Sequence, residues 1–189
     1  KTGTKKFDLR EVYYGLDCQM LLYLFTLERN GGHLFSQGTA AGVEYLWADP
    51  APENIIRPET DDAEPSQAQN YPLEGLLLDE PSIYHAMDTR GTGAFVPLSF
   101  SAKTGEPTAQ SAKARLADRE KFNRIRDHLD GMLTDMAKNL YSGEIDAAPL
   151  VPNAGKSPCL WCEYRTVCRH ADGEGERTPL KPDDPFGAE

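Results

Sequence analysis

The sequence predicts a helix-rich α/β fold that closes in a C-terminal cysteine segment. Three observations carry this. Two stretches repeat apolar residues at three- and four-residue steps, the helix period. Between them lies a short aromatic and β-branched run of strand type. Near the far end, three of the four cysteines fall within ten residues.

The first helix is expected from the Asp8-Leu9-Arg10-Glu11 capping pattern onward. Leu9, Val12, Tyr13, Leu16, Met20, Tyr23, Leu24 and Leu27 form its apolar stripe, and Asn30-Gly31-Gly32 supplies a left-handed stop. Ala40 to Trp47, bounded by Gly38 and Asp49-Pro50, reads as a strand. From about 50 to 70 the chain is rich in Pro, Glu, Asp, Ser and Gln. It cannot bury enough apolar surface to offset ordering and reads as a solvated loop. Glu74 to Met87 suggests one or two short helices broken at Pro81, and Phe95 to Phe100 a weak second strand. Ser111 to Tyr141 carries Phe122, Ile125, Leu129, Met132, Leu133, Met136 and Leu140 on one stripe, a long amphipathic helix. Beyond Gly143 the period ends.

The 189 residues hold 30 acids and 20 Lys or Arg, a net charge of −10. The charge is uneven. Residues 51–90 hold nine acids against two bases and residues 171–189 six against two, which leaves the remainder near neutral. A uniformly basic nucleic-acid binder is excluded, but a local path for a phosphate backbone is not. Lys1, Lys5, Lys6 and Arg10 cluster at the start, and Lys113, Arg115, Arg119, Lys121, Arg124 and Arg126 crowd the start of the long helix. The bland reading of both is solvated surface. No run of about 18 apolar residues could span a membrane, and no signal-peptide pattern opens the chain. Lys1-Thr2-Gly3 reads as a turn after an element that has been cut away, so the chain is expected to be a piece of a larger protein.

Cys159, Cys162 and Cys168 are spaced Cys-x2-Cys-x5-Cys. The first spacing lets two thiolates face one ion or cluster, as in zinc and iron–sulfur sites. A disulfide framework fits poorly in a chain of this size without a secretion signal. Three thiols leave a fourth ligand to find. Cys18 lies inside the first helix and reads as a core thiol; His170 would favour zinc; a cysteine outside the chain is the third option. Gln19 and Tyr23, at i and i+4, share a helix face.

Taken together, the Lys-Thr-Gly start, the Tyr13-Tyr14-Gly15-Leu16 helix with its Gln19-x-x-x-Tyr23 motif, Ala41-Gly42-Val43-x-Tyr45, Glu74 to Leu78, Met87-Asp88, the long helix and the cysteine triplet resemble one family. It is the C-terminal iron–sulfur-stapled nuclease domain of the B subunit of bacterial AddAB-type ATP-dependent helicase–nucleases. The resemblance implies a fragment of a PD-(D/E)XK restriction-endonuclease-like domain. Residues 1–150 would be a partial nuclease core lacking its first strands and acidic motif, 151–171 the cysteine segment and 172–189 an acidic tail. It implies Lys1 as the motif lysine that positions water and phosphate, with Gln19 and Tyr23 lining the site. Cys159, Cys162 and Cys168 would be three ligands of a [4Fe-4S] cluster whose fourth comes from far upstream. Mg²⁺ would be held by acidic residues that precede Lys1, so this chain is expected to be inactive by itself. The implied setting is the bacterial cytoplasm, in recombinational repair of DNA ends, where the partners are DNA and the A subunit. Two alternatives remain beside it: a non-catalytic zinc module on Cys159, Cys162, Cys168 and His170, and a CRISPR-associated exonuclease of the same cluster-bearing superfamily. A plain helical scaffold with incidental thiols is disfavoured by the cysteine spacing.

Overall fold

The computed structural model describes residues 6–33, 38–46, 73–151, 157–170, 175–179 and 184–187. Lys1, Lys5, the expected loop at 50–70, Trp47 at the end of the first strand and much of the acidic tail lie outside the described residues.

Two helices open the described chain. Helix α1 spans Leu9–Tyr13 and α2 spans Gln19–Asn30, so the single expected helix is two. The cause is local: Gly15 and Asp17 have φ of 81° and 57°, a left-handed conformation that no continuous helix accommodates. At its far end α2 passes into a 3-10 turn, Gly31–His33, with Gly31 at φ −74°, rather than stopping on a left-handed glycine.

Strand β1, Gly42–Leu46, lies within the expected span and pairs antiparallel with β2, Leu73–Leu78. Here the expectation of a helix at 74 fails. Leu76, Leu77 and Leu78 are all buried, and β2 is the middle strand of a three-stranded sheet ordered β1-β2-β3. A short continuous apolar run reads equally as buried helix or buried strand, and a central strand covered on both faces needs such a run. Gly75 permits the close pairing, since a Cβ there would lie 2.1 Å from the Val43 carbonyl oxygen. Pro81 does not break a helix but begins one, α3 at Pro81–Met87, where its missing N–H costs nothing. Phe95–Phe100 is irregular; Phe100 makes only an isolated bridge to Pro107.

The expected helix from 111 also divides. Helix α4, Ala109–Arg115, is capped by the Thr108 hydroxyl; the two-residue strand β3, Leu116–Ala117, pairs parallel with β2; and α5 runs from Arg119 to Ser142. The apolar stripe begins at Phe122, after the break, so it gave no sign of where α5 starts. A last short helix, α6, covers Arg165–Cys168.

The chain falls into two units. One contains residues 17–124 with the first eight residues; the other contains residues 9–16 with 125–189. In the first, Leu77, Tyr84, Val96, Leu98 and Leu116 form a core on one sheet face, edged by Phe100 and Ala112. In the second, Tyr13 stacks on His128 at 4.7 Å between ring centroids, and Phe186 packs edge-on to both rings. His128 Nε2 also lies 2.8 Å from the Tyr13 carbonyl oxygen.

Candidate functional site

Helix α2 presents two faces. Leu21 and Phe25 are buried, whereas Gln19 and Tyr23, on the opposite side, are exposed. The Gln19 Nε2 donates to Tyr23 Oη at 2.8 Å. The two polar tips therefore satisfy each other at the surface instead of finding buried partners. That leaves an amide and a phenol side by side and open to a ligand.

The segment leading to this helix is pinned to the sheet. The Phe7 N–H donates to Glu74 Oε2 at 3.3 Å, and Arg115 forms an ion pair with the same carboxylate. The Phe7 ring stacks on Tyr45 of β1 at 6.0 Å. At the other end of α2, Glu28 Oε1 accepts from the Ala40 N–H at 2.8 Å, while Arg119 reaches both Glu28 and the Ala40 carbonyl. The segment before α1 and the C-terminal end of α2 are thus each tied to this unit. Lys1 lies outside the described residues, but Phe7, six residues on, is held against β1 and β2.

Cys18 is buried just before α2, and burial pushes its thiol pKa up. Its role as a core thiol agrees with the sequence expectation. Tyr45 is pushed up in the same way, by burial first and by the neighbouring Cys18 second.

Much of the expected basic cluster is consumed internally. Arg115 pairs with Glu74, Arg119 with Glu28, Arg124 with Glu120 at 3.8 Å and Arg126 with Asp127 at 3.2 Å. A structural use of these arginines, rather than a continuous anion path, accounts for most of the cluster.

The cysteine segment is built from tight turns. The Ser157 hydroxyl accepts from the Cys159 N–H at 3.3 Å and opens a 3-10 turn over Pro158–Trp161; the Cys162 N–H then returns to the Cys159 carbonyl at 3.3 Å. Helix α6 follows and ends on Arg169 at φ 55°. All three thiols are free, Cys159 half-buried and Cys162 and Cys168 exposed. Free thiols at this spacing suit the donor chemistry of iron–sulfur or zinc. Among the described residues, however, no three His, Cys, Asp or Glu side chains come together to hold an ion. His170 Nε2 is buried without a hydrogen-bond partner.

Two acids have roles that the sequence reading did not assign, although Met87-Asp88 stood among its motifs. Asp88 is buried and accepts from the N–H groups of Arg90, Gly93 and Ala94 and from the Thr92 hydroxyl. The signal was present in Asp88-Thr89-Arg90-Gly91-Thr92-Gly93, an acid followed by turn residues. Glu44 sits opposite Gly75 on the sheet; its Oε1 is buried without a partner, and burial pushes its pKa up. No sequence pattern marked it.

The described residues thus offer a small mixed sheet with a surface Gln19–Tyr23 pair on α2 and, in the other unit, three free thiols. The PD-(D/E)XK nuclease superfamily matches residues 1–169, and the chain belongs to it. Among curated relatives, the B subunit of the ATP-dependent helicase/deoxyribonuclease from Clostridium botulinum is 30% identical over 173 residues, which is 89% of this chain and 15% of the relative. The proteins of that name from Clostridium kluyveri and Thermoanaerobacter are 30% and 29% identical over 174 and 176 residues, again 89% of this chain and 15% and 14% of theirs. The chain spans about 15% of the length of such relatives. Among the described residues no helix is long and apolar enough to cross a membrane.

Proposed function

We propose that this chain is part of the DNA-cleaving domain of a larger ATP-dependent helicase–nuclease that processes DNA double-strand ends together with a second subunit. The observation that carries the reading is the superfamily match over residues 1–169, which takes in Lys1, the Gln19–Tyr23 pair and the cysteine triplet. In this reading Lys1 orients the attacking water and the phosphate. The Gln19 amide and Tyr23 hydroxyl position the DNA strand. Their mutual 2.8 Å bond fixes both side chains before DNA arrives, which lowers the entropy lost on binding. Phosphodiester hydrolysis in this superfamily draws on Mg²⁺ to activate water and neutralise charge on phosphate oxygens. In this reading its ligands lie outside this chain.

Cys159, Cys162 and Cys168 would hold a [4Fe-4S] cluster with a fourth ligand from outside the chain, as a structural staple. The buried, unpartnered His170 Nε2 favours a second reading, zinc on three thiols and His170. Anaerobic purification of the longer polypeptide separates the two. Brown protein with broad visible absorption and iron supports the cluster; colourless protein with stoichiometric zinc, lost in His170→Ala, supports the other. For the nuclease itself, Gln19→Ala and Tyr23→Phe in the longer polypeptide should lower Mg²⁺-dependent cleavage by about 10- to 100-fold with ATP hydrolysis retained. Unchanged cleavage in both would count against their assignment.

A further inference from the structure

The apolar stripe on α5 outruns its cover. Leu129, Leu133, Met136 and Leu140 follow one another at four-, three- and four-residue steps and share one helix face. Their exposure climbs along the helix, from 1% at Leu129 through 42% and 50% to 70% at Leu140. The cover near Leu129 is identifiable. Tyr13 and Phe186 pack on His128, and Gly15 abuts Met132, whose Sδ lies 2.9 Å from where a Gly15 Cβ would be. One turn later the cover thins to the Gly15 position, whose Cβ would lie 3.9 Å from Met136 Cε, and by Leu140 the side chain is 70% exposed. A helix in water gains nothing from three exposed aliphatic side chains in register; such a stripe is the seat of a partner.

The charges beside the stripe say what kind of partner. Asp130 and Asp135 flank it on either side, Asp135 paired with Lys138 at 3.1 Å, and Glu144 and Asp146 follow the helix end, so residues 130–146 hold four acids against one base and the excess lies at the helix end. Helix α5 also has no basic residue in its last turn. The negative end of the helix dipole therefore meets further negative charge, an unfavourable arrangement that cations from outside would relieve. A second copy of this chain would bring the same acids and repel. We propose that the C-terminal half of α5 is the docking seat of an amphipathic segment with Lys or Arg flanks, supplied by the larger polypeptide in which this domain is embedded. The assignment of the source rests on the helicase–nuclease reading, in whose relatives the matched region is about 15% of the length.

The test places the photo-crosslinking residue p-benzoylphenylalanine at Leu140 or, as an opposite-face control, at Lys138 of the longer polypeptide, with cross-linked peptides identified by mass spectrometry. The expected result is an intramolecular cross-link from Leu140 to one apolar segment with basic flanks outside these 189 residues, and none from Lys138. In a Leu133→Asp, Met136→Asp background the yield should fall at least 10-fold, a loss of about 1.4 kcal/mol of docking. Cross-links between copies, cross-links confined to residues 1–189, equal yield from Lys138 or no product at all would each overturn the proposal. DNA cleavage measured on the same preparations is a separate readout. A protein that cross-links as expected yet cleaves no DNA with Mg²⁺ would defeat the nuclease reading and leave the docking seat standing.

Discussion

Replacing Asp88 by Asn should destabilise the first unit in a pH-dependent way. The side chain is 1% exposed. Its Oδ2 accepts from Gly93 N at 2.7 Å, Ala94 N at 3.1 Å and the Thr92 hydroxyl at 3.1 Å, and its Oδ1 accepts from Arg90 N at 3.2 Å. Asparagine keeps one acceptor oxygen but turns an NH₂ group toward backbone N–H donors. Bonds to a charged acceptor contribute about 1.5–3 kcal/mol each. Arg90 and Ala94 are exposed and can recover water, so the net loss is about 3 kcal/mol, or roughly 6–12 °C in Tm for a chain of this size. Burial alone would raise the Asp88 pKa, but the bonds from Gly93, Thr92, Arg90 and Ala94 outweigh it and hold the carboxyl below its ordinary value. A depressed folded pKa stabilises above the unfolded value of about 3.9 and loses that contribution as pH falls through the folded one. Urea unfolding of both proteins between pH 7 and about pH 3 should therefore show the gap narrowing below about pH 4. A gap under about 0.5 kcal/mol at neutral pH, or one that does not narrow, refutes the anchoring role.

Glu44 should behave in the opposite sense. Its carboxyl is pushed up by burial, so the folded state favours the protonated form; that contribution is full below the unfolded value of about 4.3 and is lost as pH rises toward the folded one. Glu44→Gln is expected to stabilise slightly at pH 7, by about 0.5 kcal/mol or less because the group is partly solvated, with the gain fading in acid, and a destabilised variant at pH 7 contradicts this. In metal-stripped, reduced protein, iodoacetamide should modify Cys162 and Cys168 first and Cys18 last, because Cys18 is buried with a raised thiol pKa. Peptide mapping that finds Cys18 among the first to react would show the region before α2 to be open.

What the sequence conveyed divides along physical lines. Features fixed by several residues at once survived: α2, β1, the body of α5 and the Gln19–Tyr23 face. The failures share a cause. Left-handed turns at Gly15 and Asp17 interrupt an apolar pattern without disturbing it, and the two-residue strand β3 lies ahead of the stripe that begins at Phe122, so one expected helix became two in both places. The run Leu76–Leu78 was ambiguous until the sheet gave it neighbours on both edges. At the site, the motif residues were visible as motifs, but pairing was not. The consumption of Arg115 and Arg119 by Glu74 and Glu28, the anchoring of Phe7 on Glu74 and the burial of Glu44 Oε1 without a hydrogen bond all depend on contacts distant in sequence.

The most direct measurement of the central proposal is Mg²⁺-dependent DNA cleavage by the longer polypeptide with Lys1→Ala, beside the unsubstituted protein. Loss of a group that positions water and phosphate should lower the rate by about 10²- to 10³-fold, with ATP hydrolysis and the visible spectrum unchanged. Cleavage that persists undiminished in Lys1→Ala would contradict it.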